Sequence, residues 1–125
     1  MIRILVLAGA ALALSVGLAA SALGQRASTP TLKGVVGPGY TISLRKGGKR
    51  FTSLKAGTYR VTVTDRSALH NFTLERESPK PNIEKHVTGT AFKGTKTITI
   101  ALKRGRWKFY CSVHESLMHG FFRVR

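Results

Sequence analysis

From residue 31 onward the chain alternates apolar and polar side chains with a period of two, the pattern of strands that bury one face. Tyr59, Val61 and Val63 share one face, with Arg60, Thr62 and Thr64 on the other. His70, Phe72 and Leu74 form a second such set, Ile98, Ile100 and Leu102 a third, and Trp107, Phe109 and Cys111 a fourth. Phe121, Phe122 and Val124 close the chain in a short last strand. Turn chemistry separates the runs at Gly37-Pro38-Gly39, Lys46-Gly47-Gly48-Lys49, Ala56-Gly57 and Arg104-Gly105. No helical stripe of useful length appears. Glu77–Thr95, with Pro79, Pro81 and mixed charges, is expected to be the longest loop, with room for a short helix or turn. About seven short strands in roughly 100 residues favour a β-sandwich.

One local pattern occurs twice. Leu54-Lys55-Ala56-Gly57-Thr58-Tyr59-Arg60-Val61 and Leu102-Lys103-Arg104-Gly105-Arg106-Trp107-Lys108-Phe109 both read Leu-Lys-x-Gly-x-aromatic-basic-apolar. Each is expected to be a turn feeding a core strand. The pattern is too short to define a repeat protein.

The N-terminus has a different character. Arg3 precedes a stretch, residues 4–23, that carries no charge and is rich in Leu, Ala and Val. Ala20-Ser21-Ala22 fits a small-x-small cleavage site, so residues 1–22 read as a signal peptide. A run of about 20 apolar residues can also span a bilayer, which keeps an uncleaved anchor as the alternative. On either reading the domain is exported to the periplasm, the cell envelope or the exterior, tethered by residues 4–23 if the anchor is retained. Residues 23–30 form a flexible lead-in and residues 31–125 the domain itself.

Composition narrows the classes. At 42% hydrophobic residues the chain is not a disordered basic tail. A single Cys excludes an internal disulfide framework and any Cys-pair zinc ribbon. The chain has no phosphate-binding P-loop, no G-x-G-x-x-G and no HExxH. Lys and Arg number 21 against 5 Asp and Glu, a net charge of +16 at pH 7. Such a field speeds encounter with acidic partners and makes association salt-dependent. An acidic redox protein, an anionic membrane surface and an acidic cell-wall polymer all fit that sign. Nucleic acid is excluded as a physiological partner by the export signal. Most of the cations fall on the outward parity of strands or in turns, as on an ordinary solvated face.

The informative segment is Tyr110-Cys111-Ser112-Val113-His114-Glu115-Ser116-Leu117-Met118-His119-Gly120. Cys111 ends an apolar strand and points inward with Trp107 and Phe109. One tight loop then brings a thiolate, an imidazole and a thioether to the same end of the sandwich. His70, on the inward parity at the start of its own strand, is placed to supply the fourth donor. Two imidazoles and a thiolate in a trigonal array with a weak axial thioether make a copper site for electron transfer. His119 competes with Met118 for the axial position. His86 lies in the charged loop and is expected to be solvated. Asn71-Phe72-Thr73 matches a glycosylation acceptor by chance.

Leu69-His70-Asn71-Phe72, together with Tyr110-Cys111-x-x-His114-x-x-x-Met118-x-Gly120, resembles the cupredoxins, the plastocyanin- and azurin-like type 1 blue-copper proteins. The resemblance spans essentially all of the chain after residue 22. It implies an all-β, Greek-key β-sandwich of about seven to eight strands. It implies one copper ion cycling between Cu(I) and Cu(II) on His70, Cys111, His114 and Met118, with Asn71 tying the ligand loop to the sandwich. Three residues separate His114 from Met118, against two in amicyanin-like loops and four in plastocyanin-like ones, and Val113 stands where many members carry Pro. The implied function is that of a monomeric one-electron carrier with no catalytic cycle, making small, transient contacts with its redox partners. A copper storage or delivery module is the alternative, followed by a basic β-sandwich that binds anionic polymers or membrane surfaces.

Overall fold

The computed structural model describes Gly24 and residues 27–125, so the apolar segment 1–22 and part of the lead-in lie outside the described residues. The strands are β1 (Thr31–Val36), β2 (Ile42–Lys46), β3 (Ser53–Leu54), β4 (Gly57–Asp65), β5 (Phe72–Ser78), β6 (Ile83–Thr88), β7 (Gly94–Leu102), β8 (Gly105–Tyr110) and β9 (His119–Val124). No helix occurs among the described residues. One sheet runs β2-β1-β4-β7 and the other β3-β9-β8-β5-β6. Only β1–β4 and β3–β9 pair in parallel. Every connection that crosses between sheets ends near one of the two poles of the sandwich, so loops gather at the poles.

The core lies between the two inner faces. Leu32, Val36, Val61 and Val63 from one sheet meet Phe72, Leu74, Trp107 and Phe122 from the other. Among the described residues the core runs from Leu32 to Val124, so residues 31–125 carry a core of their own. At roughly 1.5–3 kcal/mol for each large apolar side chain buried, this interior holds the sheets together. Trp107 stacks on Phe122 at a ring distance of 6.2 Å.

Two expectations change. The Glu77–Thr95 stretch is not one long loop, because β6 lies within it and pairs antiparallel with β5. β6 is the edge strand of its sheet, and only Val87 and Thr88 of its side chains are buried. Backbone hydrogen bonds hold it, so its side chains show no alternation. Ile98 and Ile100 are only half-buried, because β7 is likewise an edge strand. The strand total reaches nine among the described residues.

The twice-used pattern has a common physical basis. The Tyr59 hydroxyl donates to the Lys55 carbonyl at 2.7 Å, and Trp107 Nε1 donates to the Lys103 carbonyl at 2.8 Å. Each aromatic buries its ring and satisfies its polar atom on the turn four residues back. The glycines between them, Gly57 and Gly105, both have positive φ, at 156° and 147°.

The two glycines differ in their surroundings. A Cβ on Gly57 meets nothing within 4 Å, whereas one on Gly105 overlaps the Ser78 carbonyl. Gly57→Ala should therefore cost about 1–2 kcal/mol of backbone strain. Gly105→Ala adds a backbone collision and should cost about 3 kcal/mol or more. Thermal unfolding of the two variants in parallel checks the difference.

Candidate metal centre

Three donor atoms meet at one pole. His70 stands two residues before β5, Cys111 directly after β8, and His114 in the loop that leads to β9. His70 Nδ1 is 3.0 Å from His114 Nδ1, and Cys111 Sγ is 3.9 Å and 3.8 Å from the two. This is the one such cluster of His, Cys, Asp or Glu among the described residues. His70 and Cys111 are buried and His114 is half-buried.

The register of the sheet produces this convergence. β5 and β8 pair antiparallel with Thr73 opposite Tyr110, which places Asn71 opposite Ser112 just beyond the ladder. There the Asn71 side chain takes over from the backbone. Its Oδ1 accepts the Ser112 N–H at 2.8 Å, and its Nδ2 donates to Ser112 Oγ at 2.6 Å. The Asn71 backbone N–H donates to Cys111 Sγ at 3.4 Å. Asn71 is buried with its amide engaged, so the glycosylation match has no accessible acceptor.

The loop after Cys111 is closed by its own backbone. The Cys111 N–H donates to the Met118 carbonyl at 3.0 Å, and the Met118 N–H to the His114 carbonyl at 2.9 Å. The chain thereby returns Met118, fully buried, to the level of Cys111. His119 goes the other way: it is exposed, and its Nδ1 donates to the Glu115 carbonyl at 2.7 Å. His86 is also remote from the cluster. It lies on β6 rather than in a loop, exposed, with Nε2 2.8 Å from Glu84 and Nδ1 2.8 Å from Thr73 Oγ1.

The donor set fits a metal ion. Three donors held at ~2.0–2.3 Å from one ion and splayed at roughly 100–130° stand about 3–4 Å apart, as these do. Two imidazole lone pairs facing each other across 3.0 Å repel unless a proton or a cation lies between them. Soft sulfur with borderline nitrogen selects copper over hard oxygen-seeking cations. The Tyr40 ring covers both imidazoles, 5.6 Å from His70 and 5.1 Å from His114. A cavity of about 480 Å³ lined by Tyr40, Leu69, His70, Val113 and His114 opens beside them.

Lys108 braces the loop from the sheet, a role that its alternation parity concealed. It is 7% exposed rather than solvated. Its Nζ stands 2.5 Å from Glu115, 3.4 Å from Glu75 and 3.6 Å from Glu77, so three of the five acidic residues gather on one cation. Glu75 lies directly opposite Lys108 in the ladder, and Glu115 is the neighbour of His114. Burial alone would lower the Lys108 pKa, but the Glu115 hydrogen bond and the carboxylates of Glu77, Glu115 and Glu75 hold it above its ordinary value. Burial, with Glu84 and Glu75 nearby, pushes the adjacent Tyr110 phenol up to about 12.

Because the Lys108 pKa is raised on folding, its contribution is complete below the ordinary value of 10.5 and is lost as pH climbs through the folded value. The melting temperature should fall from about that pH upward, more steeply in the native chain than in Lys108→Met. At neutral pH Lys108→Met leaves three carboxylates together and should cost about 2–3 kcal/mol, read by denaturant unfolding. Asn71→Ala removes the tie between the ligand loop and the sheet. It should weaken metal binding about 10–100-fold in a competition titration, with hydrogen exchange of β1 and β4 unchanged.

No protein-family model and no curated protein matches the chain. Several solved structures match its shape. Rusticyanin, a copper protein, is 20% identical with a TM-score of 0.53, over 78% of this chain and 80% of that one. Auracyanin A, a blue copper protein from the green thermophilic photosynthetic bacterium Chloroflexus aurantiacus, is 18% identical with a TM-score of 0.52, over 78% of this chain and 100% of that one. A multi-copper oxidase from Pediococcus acidilactici is 16% identical with a TM-score of 0.54 over 84% of this chain, which spans only 28% of the oxidase. The likeness is one of architecture, and together with the two mixed sheets and the pole where His70, Cys111 and His114 meet, it identifies the fold as that of the cupredoxins.

Proposed function

We propose that the chain is an exported, mononuclear type 1 copper protein that carries one electron at a time between redox partners. The observation that carries this reading is the His70–Cys111–His114 triangle, with sides of 3.0, 3.9 and 3.8 Å, held by a sheet at one end of a rigid core. His70 Nδ1, His114 Nδ1 and Cys111 Sγ would hold the ion, with the buried Met118 thioether as a weaker fourth donor. A copper ion bound there supplies reversible one-electron chemistry.

The chain's own residues account for the rest. The Asn71 N–H on Cys111 Sγ stabilises negative charge on sulfur. The Asn71–Ser112 bonds and the Lys108–Glu115 pair fix the loop on both sides, so little has to move when the charge changes. Burial of His70, Cys111 and Met118 keeps water from the ligand atoms. Half-buried His114 offers the shortest way from the donor cluster to the surface. Tyr40, Leu69 and Val113 line the cavity beside it and Leu117 closes the same loop, all four exposed, a rim suited to brief contact with a partner. The N-terminal apolar run supports export, and four protein donors leave no open position for substrate.

One equivalent of Cu(II) should produce an intense thiolate-to-copper band in the visible and narrow copper hyperfine splitting in EPR. Cys111→Ala should abolish both. Met118→Leu should keep the colour and raise the reduction potential, because loss of a lone-pair donor costs the electron-poor Cu(II) more than Cu(I). His119→Ala should change neither. A colourless protein rejects the electron-carrier reading. Slow redox cycling with ready transfer of copper to a chelator selects the storage or delivery module.

A further inference from the structure

We infer that the pole opposite the donor cluster is a docking surface for an anionic phospholipid bilayer. The charge of this domain is sorted by pole. The donor pole is built from residues 37–41, 66–71, 89–93 and 112–118, and it offers Arg66, Lys93, Glu115 and the apolar rim. The opposite pole is built from the β2–β3 connection with its Lys46–Lys49 turn, the β3–β4, β5–β6 and β7–β8 turns and the end of β9. It presents Lys46, Lys49, Lys55, Lys80, Lys103, Arg104 and Arg125, all exposed, with no Asp or Glu side chain in those turns and no exposed large hydrophobic residue there. The acidic residues that could offset these cations are engaged elsewhere, three on Lys108 and Glu84 on His86.

Folding does not call for this arrangement. Two positions near the same pole set like charges directly across the ladder, Lys33 opposite Arg45 and Arg106 opposite Arg123. Such pairs are mildly destabilising in a sheet. An anionic surface offsets that repulsion.

The path of the chain favours a bilayer over a soluble polyanion. The uncharged stretch 4–23 reaches the domain through Pro30, which lines the same groove as Lys46, Lys55 and Arg125. The seven residues 24–30 reach at most about 25 Å. A retained apolar segment therefore holds the basic pole at the lipid surface, and with the segment removed the cations dock alone. In both cases the His114 pole faces away from the lipid, open to partners in solution. The inference is independent of copper, because the docking surface and the donor cluster share no residue.

The test is co-sedimentation of the metal-free domain, residues 24–125, with phosphatidylcholine vesicles with and without phosphatidylglycerol. Binding should require phosphatidylglycerol and weaken with salt. Each cation near an anionic leaflet contributes ~1 kcal/mol, a factor of about five, so Lys46→Ser/Lys55→Ser/Lys103→Ser should lose about a hundredfold in partition. Arg66→Ser/Lys93→Ser/Lys96→Ser removes the same charge elsewhere and should lose no more than a few-fold. Circular dichroism confirms that both sets fold. Equal losses in the two sets, or binding indifferent to phosphatidylglycerol, overturn the inference. So does binding confined to soluble polyphosphate with no uptake on vesicles. Copper loading read in parallel separates these outcomes from a failure of the electron-carrier reading.

Discussion

The antiparallel register of β5 against β8 is the constraint on which the rest of the structure depends. With Thr73 opposite Tyr110, the ladder runs out just where Asn71 faces Ser112, and the Asn71 side chain continues the pairing that the backbone can no longer make. His70 and Cys111 sit on either side of that junction. A shift of one residue would turn His70 away from Cys111 and reverse every inward side chain of β5. The core and the donor cluster are therefore set by the same registration: Phe72 and Leu74 face the interior for the reason that His70 does.

The donor triangle is a costly thing to bury. Two imidazole nitrogens face each other at 3.0 Å beside a thiol that receives one long N–H contact. With no cation to share, such groups are better solvated apart. They are held together by bonds that do not involve the donor atoms: the backbone closure of residues 111–118, the Asn71 amide, and Lys108 gripping Glu115. Stability is spent on geometry here. On the proposed electron-carrier reading, the return would come as a site that keeps its shape in both oxidation states and has little to reorganise.

How much of this is legible in the chain depends on the range of each interaction. Cys111, His114 and Met118 fall within eight residues, and their spacing is visible without a structure. His70, 41 residues from Cys111, is found only because its strand alternates cleanly up to it. β6 escapes notice because an edge strand is held by backbone bonds and buries little. Lys108 escapes for a different reason. Alternation assigns it to the outer face, and so it is, but Glu75, Glu77 and Glu115 close over it from another strand and a loop. Parity gives a side chain's direction; what covers it is decided by register. The doubled Leu-Lys-x-Gly-x-aromatic motif lies between these cases. Its recurrence is plain in the sequence, while its cause, a carbonyl of the turn accepting from Tyr59 or Trp107, is a matter of distances.

The sorting of surface charge follows from the same economy of acids. With only five acidic side chains, placing three on Lys108 strips the remaining surface of counter-charge. The brace on the ligand loop and the uncompensated field of the far pole are thus two consequences of one allocation. An acidic partner drawn in by that field alone would arrive at the end remote from His114. On the electron-carrier reading proposed above, exchange would instead need contact at the donor pole, where Tyr40, Leu69, Val113 and Leu117 offer apolar area and few cations. That reading would put long-range attraction and short-range contact at opposite ends of the sandwich. A surface that occupies the basic end leaves the other free, and orientation becomes a property of the charge distribution rather than of any single contact.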